Sequence, residues 1–462
     1  MNTETAVGIR RAFMTLAGLG IMPAAQADLT LVPGMTRVQA PVAATIQSIC
    51  PPLNSPSVYP GLNPEQQLLA QSCTKMVQTS NAQQGAGGTR FDLGLTEGQL
   101  RDALQGISPE EMNAQNRGRT VTTTAPINAR LLALRRGAGG PGALASSFDF
   151  NGEKIVLSDT HPEGSRGGGA SADGLGGPWS GYVNGYYNWG RRDASELENA
   201  FDFDDYGFIM GGDYRVRDNT VVGLALSYGK SDADFKEDYG DVESSNLGLS
   251  LYASHSKDNF YVDGFLGFTR VDYDTARRIF VQSTTAVEGF DSTAVGSTDG
   301  NQFSAAIGAG YDWVNKDLTV TPSARLGYIN LDVDGFTERE SKHGLGLDVN
   351  DRSVISLQSA IGVQVSKAIS LESGVVSPYA GIEWNHEFRN DAGQIIAKYT
   401  HDPFNSFFAI PTASPDRNFF TLRAGLTSYY PSGVSAFANL DYVAGLKDTR
   451  ASSLTVGVRV EF

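Results

Sequence analysis

Within the last thirteen residues, Arg450 to Phe462, the stretch Ser453 to Phe462 alternates without interruption. Leu454, Val456, Val458, Val460 and Phe462 fall on one phase; Ser453, Thr455, Gly457, Arg459 and Glu461 fall on the other. Successive side chains of a strand point to opposite faces, so the segment has one oily face and one polar face. A single strand of this kind fits a soluble sheet edge as well as a membrane wall. Repetition decides between them. Twelve such segments run near 178–190, 204–216, 218–229, 243–256, 257–271, 301–315, 318–331, 351–368, 376–390, 416–430, 433–446 and 450–462. An even number of strands with one lipid face and one lumen face can close on itself, leaving no unpaired edge.

The connections follow a rule of their own. Those after segments 2, 4, 6, 8 and 10 are short: Arg217, Ser256-Lys257, Lys316-Asp317, Ile369 to Val375 and Pro431-Ser432. Those after segments 1, 3, 5, 7 and 9 are longer, as in Asp272 to Gly300 and Asp391 to Pro415. Outer-membrane barrels pair short periplasmic turns with long extracellular loops, whereas a soluble sandwich has no reason to alternate in this way. Phase agrees. Pro378, Ala380, Ile382 and Trp384 oppose Tyr379, Gly381, Glu383 and Asn385; Phe420, Leu422, Ala424 and Leu426 oppose Thr421, Arg423 and Gly425. The charges Asp213, Arg215, Arg325, Glu383, Arg423, Asp441, Arg459 and Glu461 all take the lumen phase. An arginine facing lipid at mid-bilayer costs about 2–4 kcal/mol, so the placement is selected. Trp179, Trp189, Trp313, Trp384, Tyr214, Tyr429 and Phe462 lie near segment ends, where aromatic belts form.

Composition is consistent with this reading. The chain has 462 residues, 53 of them Gly, with 18 Tyr, 23 Phe and 2 Cys. No run of about twenty apolar residues follows the N-terminus, which excludes a helical membrane protein. The formal charge of −15 disfavours nucleic acid, which requires a basic field.

Residues 1–27 read as a signal peptide: Arg10 and Arg11, an apolar core from Ala12 to Ala24, and the cleavage motif Ala25-Gln26-Ala27. Export makes a Cys50–Cys73 disulfide the expected state, with two free thiols as the alternative. Residues 28–136 carry helix signals. Asn63-Pro64-Glu65-Gln66 and Thr96 with Gln99 are capping boxes. Leu69, Cys73 and Met76 share one face, Ser108-Pro109-Glu110-Glu111 starts a third helix, and Ile127, Leu131 and Leu134 line a fourth. Residues 137–177 are a Gly-rich linker with one short strand near Phe148 to Leu157. The expected fold is an all-β transmembrane barrel of twelve antiparallel strands over 178–462, preceded by a small α-helical module and the linker.

Particular motifs add a resemblance. Phe201-Asp202-Phe203-Asp204 through Gly212-Asp213-Tyr214-Arg215-Val216 is similar to the G-x-D-Y hairpin of the autotransporter (type V secretion) β-domain. Val222-Gly223-Leu224-Ala225, Leu251-Tyr252-Ala253, Tyr261-Val262-Asp263-Gly264, Gly335-Phe336-Thr337-Glu338 and Ser377-Pro378-Tyr379 follow in the order of that family. The resemblance implies a monomer in outer-membrane lipid whose pore guides the N-terminal segment to the cell surface. It also implies periplasmic chaperones and the barrel-assembly machinery as partners, the latter reading Leu454, Val456, Val458, Val460 and Phe462. The family places a helix inside the pore before the first strand. Here the nearest candidate is 126–136, whose Arg130, Arg135 and Arg136 would pair with Glu383 or Asp441, or which would lie outside the barrel. The rival reading is a passive or structural barrel with a periplasmic N-terminal module.

Enzymatic chemistry finds no constellation. There is no G-x-S-x-G elbow and no H-E-x-x-H among His161, His255, His343, His386 and His401. His401-Asp402 in a long connection is the one protease-like candidate, and Asp332-x-Asp334-Gly335 begins a calcium loop that does not continue. No enzyme, cofactor or metal is expected.

Overall fold

In a computed structural model of the chain, the described residues are 28–113, 147–150, 153–156 and 178–462, apart from 218 and 341. The signal-peptide, fourth-helix and most of the linker expectations therefore lie outside the described residues. Within the linker, Ser147–Phe150 pairs antiparallel with Glu153–Val156, two strands where one was expected.

Twelve strands form the barrel: β1 Trp179–Arg192, β2 Phe201–Arg217, β3 Thr220–Phe235, β4 Gly240–Lys257, β5 Phe260–Val281, β6 Phe290–Tyr311, β7 Leu318–Val333, β8 Arg352–Lys367, β9 Gly374–Glu387, β10 Asn418–Tyr429, β11 Val434–Ala444 and β12 Thr449–Glu461. Each pairs antiparallel with its sequence neighbours. Closure comes from β12 against β1, in register from Thr449 opposite Arg192 to Glu461 opposite Ser180. The ladder runs around the whole wall with no free strand edge, the condition for strands in lipid.

The outward faces are oily where the sequence places them. Leu224, Leu226, Leu249, Leu266, Phe268, Ile307, Ile382, Leu422, Val456 and Val458 are exposed. Tyr430, not Tyr429, takes the outward position at the end of β10. Further along, the alternation inverts. In β2, Phe208 and Met210 point out, yet Phe203 and Phe201 are buried inside. Ala233 and Phe235 of β3, Val242 of β4, Val271 and Tyr273 of β5, and Leu331 and Val333 of β7 join them in one internal cluster. The outward phase of the same stretches carries Asp202, Asp204, Asp232, Asp234, Asp241, Glu243, Asp272 and Asp274. The flip marks where the wall leaves the lipid: beyond it water is outside and the apolar core is inside.

This inversion corrects one boundary. Asp272 to Gly300 is not a loop; β5 and β6 run on as a paired ribbon to Val281 opposite Phe290. The connection Asp391 to Pro415 likewise contains Gln394–Tyr399 and Phe408–Pro411. With Phe336–Thr337 and Leu347–Val349 they form a separate four-stranded sheet on the same end.

Among the described residues, three α-helices precede the barrel: α1 Gln39–Leu53, α2 Pro64–Gln83 and α3 Glu97–Gly106. Both capping boxes form, Gln66 N donating to Asn63 Oδ1 over 2.8 Å and Thr96 N donating to Gln99 Oε1 over 2.9 Å. Ser108-Pro109-Glu110-Glu111 starts no α-helix; Glu110–Asn113 is a single 3-10 turn. Helix α1 escaped the sequence reading, although Thr36 and Gln39 make the same reciprocal pair just before it. Proline inside a helix removes a donor, but Pro51 and Pro52 lie in the last turn of α1. Cys50 and Cys73 join α1 to α2 as a disulfide, with Cα atoms 5.6 Å apart. Replacing both cysteines by alanine is expected to cost the helical module about 3 kcal/mol. Urea titration read on the module, with barrel strands as the internal reference, checks it; an unchanged midpoint would count against the disulfide as a stabiliser.

Candidate functional site: the lumen wall and the covered mouth

Inside the wall, tyrosines lie across glycines of the adjacent strand. Tyr182 faces Gly211, Tyr252 faces Gly223, Tyr261 faces Gly310 and Tyr379 faces Gly425, each pair directly opposite in register. A Cβ on any of these glycines would run into the ring. The absence of a side chain is what lets the ring lie flat on the neighbouring strand.

The expected lumen charges all point inward, and they meet as pairs. Arg325 donates to Glu383 over 2.7 Å, and Arg423 donates to Asp441 over 2.7 Å. Asn439 donates to the other oxygen of Asp441 over 2.9 Å and accepts from Tyr379 over 3.0 Å. Asp213 accepts from Ser180 over 2.7 Å and from Tyr252, and lies 3.7 Å from Arg459. Arg459 also reaches Glu461, which lies 3.9 Å from Arg215. This network fixes lumen side chains that would otherwise each be a desolvated charge. An open pocket between β5 to β10 is lined by Tyr261, Asp263, Arg325, Gln364, Glu383 and Arg423.

Leu454, Val456, Val458, Val460 and Phe462 form an outward row, all at least 38% exposed. Val458→Arg places a cation in that row and is expected to destabilise the inserted barrel by about 2–4 kcal/mol. Ser453→Arg points inward beside Asp441, its register partner, and is expected to be much milder. Heat-modifiable gel migration of membrane fractions reads both; equal losses would overturn the assigned phase.

At the long-connection end, the three helices sit over the mouth. Leu29, Ile46, Leu69, Met76, Leu100 and Leu104 share one buried cluster with Ile279, Phe290, Leu347, Ile395, Tyr399 and Ile410 of the barrel's connections. Polar contacts fix the seat. Thr284 N donates to Leu93 O over 2.9 Å, and Thr285 Oγ1 to Asp92 O over 2.7 Å. Lys75 reaches Glu288 O over 2.8 Å, and Ser72 reaches His343 O over 2.8 Å. Gly94, at φ +68°, and Gly344, at φ +67°, sit where a Cβ would strike the side chains of Thr284 and Thr285 and the backbone of Leu69. Both positions require glycine, by conformation and by space.

A buried charged group completes the contact. Arg277, 1% exposed, donates to Glu338 Oε1 over 3.1 Å, to Leu345 O over 3.0 Å and to Gly106 O of α3 over 3.4 Å. Beside it, Glu110 and Glu111 are both buried. Burial, then the neighbouring Glu111 and Glu198, hold the Glu110 carboxyl well above the usual range. Burial pushes Glu111 up to about 8, against the pull of Arg277. Arg352 Nη2 donates to Met112 O over 3.4 Å where the described module ends. None of Arg277, Glu338, Glu110 or Glu111 stood out as a site in the sequence. The available signal was an arginine on the inward phase just before the inward apolar pair Ile279 and Val281.

Asp402 is a turn residue: its carboxylate accepts from Phe404 N over 2.9 Å and from Ser406 N over 2.6 Å. Asp332 accepts from Asn330 over 2.9 Å and from Ser353.

Comparison with known proteins places this architecture. The family model described as the autotransporter beta-domain matches residues 181–441. Among curated relatives, esterase EstA of Pseudomonas aeruginosa is 21% identical over 292 residues, covering 62% of this chain and 43% of the esterase. Lipase 1 of Photorhabdus luminescens is 22% identical over 259 residues, covering 55% and 38%. The chain thus spans less than half the length of either. Among solved structures, the translocator domain of the autotransporter NalP from Neisseria meningitidis aligns with a TM-score of 0.49 at 20% identity, over 63% of this chain and 92% of that one.

Proposed function

Because the chain belongs to the autotransporter beta-domain family, an outer-membrane group, we propose that its barrel carries residues 28–113 to the cell surface and displays them there. One observation carries the reading. The helical module rests on the end with the long connections, whereas β1 begins and β12 finishes at the other end. In outer-membrane barrels the long connections face outward and the short turns face the periplasm. When chain lies at both mouths of a closed barrel, the covalent route that avoids lipid is the lumen. The paired charges and the Tyr–Gly contacts line the lumen.

On this reading the work is topological, with no covalent step by the barrel. The relatives named esterase and lipase extend well beyond the length matched here, and their activities belong to those proteins. Assembly follows the family's expectation: delivery by periplasmic chaperones, reading of the outward row ending at Phe462 by the barrel-assembly machinery, and insertion as a monomer.

An epitope inserted between Ser57 and Val58, in an exposed turn, tests the display. Antibody labelling of intact cells is the expected result. Labelling only after outer-membrane permeabilisation would overturn it in favour of a barrel with a periplasmic module.

A further inference from the structure

The described helices do not close their core among themselves; residues of the barrel's upper strands and connections complete it. Leu69, Met76, Leu100 and Leu104 meet Ile279, Phe290, Leu347, Ile395 and Ile410 in one continuous cluster. Those partners come from the β5–β6 ribbon and the four-stranded sheet of the barrel's own connections. We propose that residues 28–113 are half of a composite cap, completed by connections 282–289, 334–351 and 388–417, and stay seated on the barrel instead of being released as an independent passenger. The proposal builds on the display reading and says what becomes of the displayed segment.

Three features separate a shared domain from a casual contact. First, apolar side chains from both halves are fully buried, Leu104 and Ile410 among them at 0% exposure. Burial of this kind supplies the stability of small domains, and 86 residues of helix and turn with one disulfide have little to spare. Second, the buried Arg277 bridges both halves, holding Glu338 of one connection and the C-terminal carbonyl of α3. A charge buried on docking is tolerated only when its partners are fixed in place. Third, Gly94 admits the side chains of Thr284 and Thr285, and Gly344 admits the backbone of Glu65 and Leu69. Close approach at two separate points fixes a single seating.

The four-stranded sheet can be halved without touching the wall. Thr412 N donates to Gly393 O over 3.0 Å, so the ends of the Gln394–Pro411 hairpin are adjacent. Replacing Gln394–Pro411 by two glycines leaves β9 and β10 their full length. The experiment uses the purified full-length chain in detergent, where membrane sidedness does not enter. Barrel integrity is read by heat-modifiable migration, and residues 28–113 by the half-life of the Ser57 epitope under protease. The expected result is an intact barrel and an epitope half-life shortened at least tenfold. Ile410→Asp, a point change on the connection side, is expected to do the same. Leu104→Asp in α3 is expected to expose the Gln394–Pro411 hairpin to cleavage, because a composite core fails from both sides. An epitope that keeps its half-life in both connection variants would overturn the composite cap. That result would leave the antibody test of surface display untouched, and a negative antibody test would leave this one standing.

Discussion

Arg277→Met is expected to weaken the docked cap by about 3–5 kcal/mol while the barrel wall stays folded. The arginine is fully buried and its guanidinium serves three acceptors: Glu338, Leu345 O and Gly106 O. Glu338 in turn accepts from Leu347 N over 2.9 Å. Methionine preserves much of the volume, so the loss isolates charge and hydrogen bonding from packing. What remains is a carboxylate in a dry site beside Glu111 with no cation to oppose it. The double variant Arg277→Met with Glu338→Leu removes that orphaned charge and is expected to recover part of the loss. Recovery is incomplete because Gly106 O, Leu345 O and Leu347 N each lose a partner. Hydrogen exchange of α3 against urea measures all three proteins. A single variant within about 1 kcal/mol of the parent would show that the pair does not hold the cap.

The wall was legible because lipid imposes a strict rule. Half of each strand must be apolar on the outside, so Leu454 to Val460 and Phe420 to Leu426 announce their phase in plain alternation. The lumen charges Arg325, Glu383, Arg423 and Asp441 were legible for the same reason, and the structure adds which pairs with which. Legibility fails where the strands leave the membrane. There Phe201, Phe203 and Phe235 move to the inner phase and aspartates take the outer one, so a reading keyed to one phase ends the strand early. The ribbon of β5 and β6 was lost in this way, although Val271, Tyr273, Ile279 and Val281 keep strict alternation across it. The cap was the least legible part, for a different reason. Its core is assembled from segments about 170 residues apart or more, and no local pattern tells Leu69 that its partner is the loop at Gly344. Helix α1 is the smaller miss: its Thr36–Gln39 start carries the same cap signal as α2 and α3, and its diproline lies in its last turn.

Docking of the cap is expected to weaken as pH rises from about 5 to 9, with Glu111 as the main source. Its carboxyl is pushed by burial from 4.5 to about 8 in the folded chain. The folded state therefore holds a proton that the undocked state releases. Stability from this group is complete below about 4.5, declines between 4.5 and 8, and levels off above. On an order-of-magnitude basis the loss is about 3 kcal/mol by pH 7 and about 1 kcal/mol more by pH 9. Glu110 is shifted the same way, by burial and then by Glu111 and Glu198. The facing groups are Arg277, which favours the charged form of Glu111, and Glu338, which opposes it. Tyr399, pushed up by burial, stays neutral throughout. Two neighbours act in the other direction at the acid end. Burial raises Glu340, but backbone donors at Lys342, Leu345 and His343 outweigh it and hold the carboxyl below its usual value, so its contribution is lost on acidification. Burial holds His343 below 6.5, so protonation there also weakens docking as pH falls. The interval from pH 7 to 9 is therefore the clean one. Urea midpoints of the cap should fall across it in the parent, fall less steeply in Glu111→Gln, which keeps the shape and never ionises, and stay nearly flat once Glu110→Gln is added. A parent midpoint that rises from pH 7 to 9, or a Glu111→Gln slope equal to the parent's, would remove Glu111 as the source.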